Sequence, residues 1–167
     1  MIVPPMPGID LPHVITVVDA DLGRKPVGTN VVVCGGGVSG SECALGLAMQ
    51  GKTVTVVDIL PEEALCQDLC IFSRPALLKL MQDHAIERVQ GSVNAVTANG
   101  VVVALPDGIM AELPADTVVI ALGLRPDKEK IESLLEVIPE SYAVGDCNDG
   151  HRIFDANHDA FNVAVEV

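Results

Sequence analysis

The sequence predicts an α/β domain, a doubly wound parallel sheet with an antiparallel β-meander inserted into it. Three observations carry that expectation. Short, continuous, valine-rich apolar runs alternate with helical segments, as buried parallel strands do. A glycine-rich turn separates the first such run from the first long helical segment. Further on, three short extended runs follow one another across strong turn signals, with no room for a crossover helix between them.

The first 28 residues carry five prolines and no helical period, and read as an extended lead-in with turns. Regular structure is expected from Thr29 onward. Asn30–Gly35 (NVVVCG) suits a central parallel strand. Ser39–Gln50 reads as a helix, with Cys43, Ala44, Leu47 and Ala48 as its small or apolar stock and Gly51 as its stop. Thr53–Asp58 (TVTVVD) is a second buried strand. Ser73 is expected to cap a helix reaching His84, with Pro75 in its first turn. A third strand begins near Ile86. The meander takes Val93–Thr97, Val101–Leu105 and Met110–Leu113, joined by Asn99–Gly100 and by Pro106–Asp107–Gly108. Thr117–Leu122 (TVVIAL) resumes the buried sheet and stops at Gly123. A helix over Lys128–Glu136, a short strand at Tyr142–Gly145 and a helix over Phe154–Val165 complete the reading.

Composition narrows the function classes. Among 167 residues, 23 acidic side chains oppose 10 basic ones, for a net charge of -13. Such a surface repels nucleic acid and anionic membranes, so neither is expected as a partner. Hydrophobic residues make up 49% and aromatics only 2%, enough aliphatic volume for a core of useful size. No apolar run approaches the roughly 18 residues of a membrane span, and no basic-then-apolar leader opens the chain. Five cysteines are an odd, sparse set, so a reduced, cytoplasmic protein is expected, its thiols serving as small apolar residues.

The chemistry sits in VVVCGGGVSGSE, where Gly35-x-Gly37-x-x-Gly40 joins strand to helix. In a dinucleotide-binding turn the first glycine permits the tight bend. The second lets the backbone approach a pyrophosphate, and the third lets helix and strand pack closely. The helix start then offers unpaired N–H groups and the positive end of its dipole. Asp58 ends the next strand about 20 residues on, where an acid accepts bonds from an adenosine ribose. The expected fold is therefore Rossmann-like. Asp58 would repel a 2′-phosphate, and Ile59–Leu65 contains Glu62 and Glu63 but no basic residue, the first being Arg74. NADH is thus expected over NADPH.

With these residues in view, the chain resembles the pyridine nucleotide–disulfide oxidoreductase superfamily. Three ordered stretches carry the resemblance: VVVCGGGVSGSECALGLA, DTVVIALGLRP and YAVGDCNDGHRIFDANHDAFNVAVEV, with the proline-rich PPMPGID ahead of them. The GDC tripeptide and the Asp-Ala-x-His-Asp-Ala-Phe helix are most similar to NADH:flavin oxidoreductases of the 2-enoate reductase and 2,4-dienoyl-CoA reductase type. The resemblance implies that Gly35, Gly36, Gly37, Val38, Ser39 and Gly40 line the NADH pyrophosphate, and that Asp58 holds the ribose. Glu42 would lie near the nicotinamide half, or else is an acid favoured by the helix dipole. Gly123 would give the cofactor close backbone access, or is an ordinary turn glycine. Gly145 and Asp146 would meet the ribityl chain of FAD.

Members of that subfamily also carry an FMN-binding (β/α)₈ barrel, a cysteine-ligated iron–sulfur cluster and a separate FAD fingerprint. A barrel alone takes about 250 residues, and the five scattered cysteines supply no cluster run. The resemblance therefore implies the lead-in at 1–28, an NADH-binding domain at 29–125 and the C-terminal return of the FAD-binding domain at 126–167. Such a domain presents NADH for hydride transfer to FAD in an oxidoreductase. By itself it is expected to be inactive, and to leave the face that docks on the FAD-binding and barrel domains exposed or covered by another copy. Two other readings stay open. One is a fragment of an NADH oxidase, ferredoxin reductase or dihydrolipoamide-dehydrogenase-like flavoprotein; the other is an NADH-sensing module without turnover.

Other candidates are declined. Cys66 and Cys70 (CQDLC) depart from the CxxC or CxxxxC spacing of the family's redox pairs, and their acidic loop would raise a thiol pKa. His151, Asp155, His158 and Asp159 could share one side of the last helix, yet such a face is more often simply solvated. Arg125-Pro126 reads as a strand end, and His13 and His84 have no partner in sequence. No catalytic residue and no metal ligand are nominated.

Overall fold

Valine builds the centre of this protein. The computed structural model describes residues 2–148 and 152–166. It divides into two compact units, one through Gly123 and one from Leu124. In the first unit the strands are β1 (Val14–Thr16), β2 (Asn30–Cys34), β3 (Thr53–Asp58), β4 (Glu87–Gln90), β5 (Ser92–Thr97), β6 (Gly100–Ala104), β7 (Met110–Pro114) and β8 (Thr117–Ile120). The helices are α1 (Val17–Asp21), α2 (Val38–Met49) and α3 (Ser73–Asp83). Five strands form one parallel sheet in the order β1-β8-β2-β3-β4, and β5-β6-β7 form a separate antiparallel sheet.

Alternation of side chains across each strand explains the layers. On one face Val31, Val33, Val54, Val56 and Val119 meet Cys43, Ala44 and Leu47 of α2 and Leu77 and Met81 of α3. On the other, Val32, Cys34, Val57, Val118 and Ile120 meet Val96, Val101 and Val103 of the meander. The meander thus occupies the face that helices cover in a fully doubly wound sheet. Strands covered on both sides need continuous apolar runs, and that is why NVVVC carries no polar alternation. Full burial of one valine is worth about 1.5 kcal/mol or more.

The lead-in is not wholly extended. β1 pairs with β8 in parallel, Val14 with Val118 and Thr16 with Ile120. Thr16 then caps α1, its hydroxyl accepting the Asp19 amide at 3.1 Å, while the Asp19 carboxylate reaches back to Thr16. Prolines fill the segment before β1, and its Met6, Ile9 and Leu11 pack on the meander face.

Two further expectations change. Ser73 is the first residue of α3 and not its cap; Phe72 precedes it in a helical conformation, and the Cys70 sulfur accepts the Ser73 amide at 3.4 Å. Tyr142–Gly145 forms no strand, because an extended segment becomes one only when a neighbour takes its hydrogen bonds. Among the described residues no neighbouring strand does so. The second unit holds instead α4 (Lys128–Val137), a 3₁₀ turn at Gly145–Cys147 and α5 (Ile153–Glu166). Its apolar residues Leu134, Val137, Tyr142, Ile153, Phe154, Phe161 and Val165 are exposed. No helix among the described residues is long and apolar enough to cross a membrane.

Candidate dinucleotide site

From β2 the chain runs to β3 on one side, while β8 lies on the other, so the strand order reverses at the carboxyl end of β2. Ligands of open α/β sheets bind in that crevice. The glycine-rich turn lies there. It is fastened by the Gly35 amide donating to the Val57 carbonyl and the Ala121 amide donating to the Cys34 carbonyl, both at 2.8 Å.

Each glycine of the fingerprint has a separate cause. Gly35 has φ +111°, and a Cβ there would meet the Ala121 carbonyl oxygen. At Gly40, inside α2, a Cβ would collide with the Gly35 carbonyl oxygen, so this glycine lets the helix press against the turn. Gly37 is different. It has φ -65°, open to any residue, and a Cβ there would meet nothing within 4 Å. No contact within the chain requires glycine at 37, and the bare backbone there is open to close approach from outside. Gly36 faces inward, toward Leu65, Asp58 and Val56.

Asp58 is bound into the same structure. One carboxylate oxygen accepts the Gly36 amide at 2.6 Å and the other accepts the Leu60 amide at 2.8 Å. With spare lone pairs on both oxygens, it can still accept hydroxyl groups. Beneath the turn, the buried Ser41 hydroxyl donates to the Gly36 carbonyl at 3.1 Å. The Cys66 thiol lies 3.2 Å from that hydroxyl and 3.4 Å from that carbonyl. Neither Ser41 nor Cys66 was expected to support the turn. Cys66 is thus a buried prop of the turn as well as a small apolar side chain.

Beyond Asp58 opens a cleft of about 230 Å³ lined by Asp58, Leu60, Glu62, Arg88 and Gln90, among others. The β3–β4 register sets it, placing Arg88 beside Val56 and Gln90 beside Asp58. Arg88 donates to Glu62 across it at 2.8 Å. Arg74, from α3, braces the intervening loop by donating to the Leu65 and Glu63 carbonyls, each at 2.7 Å. Sequence reasoning missed Arg88, which lies 30 positions past Asp58 and joins it only through strand pairing.

The remaining expected residues divide. Val38 and Ser39 open α2, whose first-turn amides lack helical acceptors. Glu42 is exposed and lies in the second turn of α2, beyond the reach of the dipole effect, which weakens the dipole account of it. Gly123 has φ +102°, which accounts for glycine there, and its carbonyl accepts the Ile2 amide at 2.9 Å. In the second unit, Gly145 has φ +65° and packs against Ala156, while Asp146 is exposed. That segment presents one exposed carboxylate beside a tight turn.

The thiols have separate environments. Burial pushes Cys34 up to about 12 and does the same at Cys43, helped by Asp21. Burial also raises Cys66, whereas the Ser73 hydroxyl and amide lower Cys70, contrary to the expectation that its acidic loop would raise it. His151 lies outside the described residues. Of its supposed companions, Asp155 pairs with Arg152 at 3.2 Å, Asp159 accepts the Gly145 amide at 3.3 Å, and His158 lies 3.1 Å from Asn162.

A parallel sheet with its glycine-rich turn at the point of strand reversal defines a Rossmann-like domain of the dinucleotide-binding class. The chain belongs to the pyridine nucleotide-disulphide oxidoreductase family, whose sequence model matches residues 2–163. It is 33% identical over 149 residues to a bilirubin reductase of Mediterraneibacter gnavus, an alignment covering 89% of this chain and 23% of that protein. To a cinnamate reductase of Clostridium sporogenes it is 30% identical over 153 residues, again covering 89% of this chain and 23% of the other. Among solved structures, a 2-naphthoyl-CoA reductase bound to 2-naphthoyl-CoA superposes with TM-score 0.90 at 28% identity, over 99% of this chain and 25% of that one. The chain therefore spans about a quarter of the length of these relatives.

Proposed function

We propose that this chain is the NADH-binding domain of a larger FAD-dependent oxidoreductase of the 2-enoate reductase type. One observation carries the reading: Gly35 and Gly40 are required by the chain's own packing, while Gly37 between them faces open space. That is the arrangement a pyrophosphate needs at the start of a helix. The names of the relatives add support, since cinnamate is itself a 2-enoate.

In this role the turn from Gly35 to Gly40, including Gly36, Val38 and Ser39, holds the pyrophosphate against the first amides of α2. Asp58, already oriented by two backbone donors, receives the ribose hydroxyls. Glu42 and Gly123 face the nicotinamide half. The chemistry NADH supplies when bound is hydride donation to the flavin. The protein's part is position and electrostatics, and no side chain here has to move a proton. Residues 126–167 act as the return segment of the FAD-binding domain, with Gly145 and Asp146 turned to the FAD ribityl chain. The exposed apolar side chains of α4 and α5 dock on the rest of that parent, whose further domains hold FMN and an iron–sulfur cluster.

Calorimetric titration of the chain with NADH and with NADPH tests the reading. NADH is expected to bind, and to bind more tightly than NADPH. Binding of neither dinucleotide would overturn it.

A further inference from the structure

Sequence reasoning ascribes the choice between NADH and NADPH to Asp58 and to a lack of basic residues in the loop after it. The fold brings two guanidinium groups to that loop all the same. Arg74 is committed to the backbone carbonyls of Glu63 and Leu65, and also approaches that of Glu62 at 3.4 Å. Arg88 lines the cleft beside Asp58 and is committed to Glu62 at 2.8 Å. Its other terminal nitrogen, Nη1, is buried and has no hydrogen-bond partner among the described residues. Nη1 is closed to solvent, so the donor a 2′-phosphate would seek in this cleft is Nη2, the nitrogen that Glu62 holds.

We propose that Glu62 sets dinucleotide specificity by sequestering Arg88, so that the cation in the cleft is neutralised and NADPH finds no counter-charge there. The assignment rests on the NADH reading of this site. Among the described residues, three acids, Asp58, Glu62 and Glu63, and a single base, Arg88, line the cleft. Glu62 differs from Glu63 because it alone of the two pairs with that base. Removing either glutamate removes one negative charge. Removing Glu62 also releases Arg88 to face the ligand. The Glu62 side chain is 54% exposed, so its replacement leaves no void in the core. Because it belongs to a short 3₁₀ turn, Glu62–Ala64, its exchange removes the bond to Arg88 and leaves the backbone pairing of β3 with β4 in place.

The experiment compares NADH and NADPH dissociation constants, by titration and by competition, for the unmodified chain and three variants. Glu62→Gln is expected to narrow the preference for NADH by about tenfold, the effect of one charge freed at close range. Glu63→Gln, the charge-matched control, is expected to narrow it by less than about threefold. Glu62→Gln combined with Arg88→Met is expected to return most of the lost preference. Equal shifts in the two single glutamate variants, no shift in Glu62→Gln, or a shift that survives loss of Arg88 would each overturn the role of the pair. The comparison of the two glutamate variants stands even if Arg88→Met fails to fold. Failure of the unmodified chain to bind either dinucleotide would sink the site reading and this assignment together. Binding of NADH with an unchanged ratio would sink only the assignment.

Discussion

The Asp58 carboxylate accepts the Gly36 amide at 2.6 Å, so the last residue of β3 is tied to the turn that follows β2. This bond couples the two halves of the candidate site: the pyrophosphate turn and the ribose acceptor cannot shift independently. Replacing Asp58 by Ala strands the Gly36 and Leu60 amides and removes the proposed ribose acceptor. A stability loss of about 1 kcal/mol is expected in denaturant titration, together with an NADH dissociation constant raised by at least about tenfold. Unaltered NADH affinity in Asp58→Ala would remove Asp58 from the site and leave it a purely structural clasp.

Two alanine substitutions separate folding from binding at the turn. In Gly40→Ala the new methyl meets the Gly35 carbonyl, and α2 must move away from the turn. Overpacking of this kind costs about 1–3 kcal/mol. In Gly37→Ala the methyl enters empty space at an allowed φ, and the expected loss is at most about 1 kcal/mol, the disadvantage of alanine against glycine at a helix N-cap. The same methyl stands where the pyrophosphate would approach, so NADH affinity should fall sharply. Thermal unfolding and titration of both variants, measured side by side, check the contrast; Gly37→Ala with full affinity would show that the open space is not used.

What the sequence made legible, and what it hid, follows from the range of the interactions. NVVVCGGG and TVTVVD declare themselves because burial on two faces writes a continuous apolar run into a few adjacent residues. The turn glycines and Asp58 are readable for the same reason, being fixed offsets from those strands. β1 escaped notice because its three residues are a strand only by virtue of β8, some hundred positions away. The threonine and aspartate of its capping box, Thr16 and Asp19, were a local signal for α1 that the surrounding prolines outweighed. Arg88 reaches Glu62 only once β4 has paired with β3, and Cys66 reaches Ser41 only once its loop has folded under the turn. Tyr142–Gly145 shows the reverse error: its composition suits a strand, but its hydrogen bonds need a neighbour that is not found among the described residues.

The five thiols should react in two groups, Cys70 and Cys147 being exposed and the other three buried. Cys34, Cys43 and Cys66 are buried, and burial raises all three pKa values. Cys70 is exposed, and its neighbour Ser73 stabilises the thiolate. Since the thiolate is the nucleophile, brief treatment with iodoacetamide at pH 7.5 is expected to label Cys70 ahead of the three buried thiols. These should react only in denaturant. Peptide mass mapping reads the result. Native labelling of Cys66 at the rate of Cys70 would contradict its place beneath the glycine-rich turn.

Acid should loosen the end of the sheet opposite the candidate site, and Asp116 gives the sign. Burial pushes its carboxyl up, but the Asn30 and Thr29 amides, the Thr117 hydroxyl and the Lys52 ammonium together outweigh that, leaving it below the ordinary value of 3.8. The amide bonds are 3.0 and 2.8 Å long and hold the entry of β2 against that of β8. With a folded-state pKa below the unfolded one, Asp116 contributes its full stabilisation above about pH 4. That contribution is lost as the pH falls through the depressed value, where the carboxylate takes up a proton and its amide bonds weaken. Asp116→Asn keeps one acceptor oxygen but no charge. It should therefore be less stable than the parent at neutral pH, by about 1 kcal/mol as for loss of a charged hydrogen-bond acceptor. The gap between the two proteins should close below pH 4. Urea unfolding of both at a series of pH values measures it, and a gap that stays constant down to pH 2.5 would show that the Asp116 charge contributes nothing to the fold.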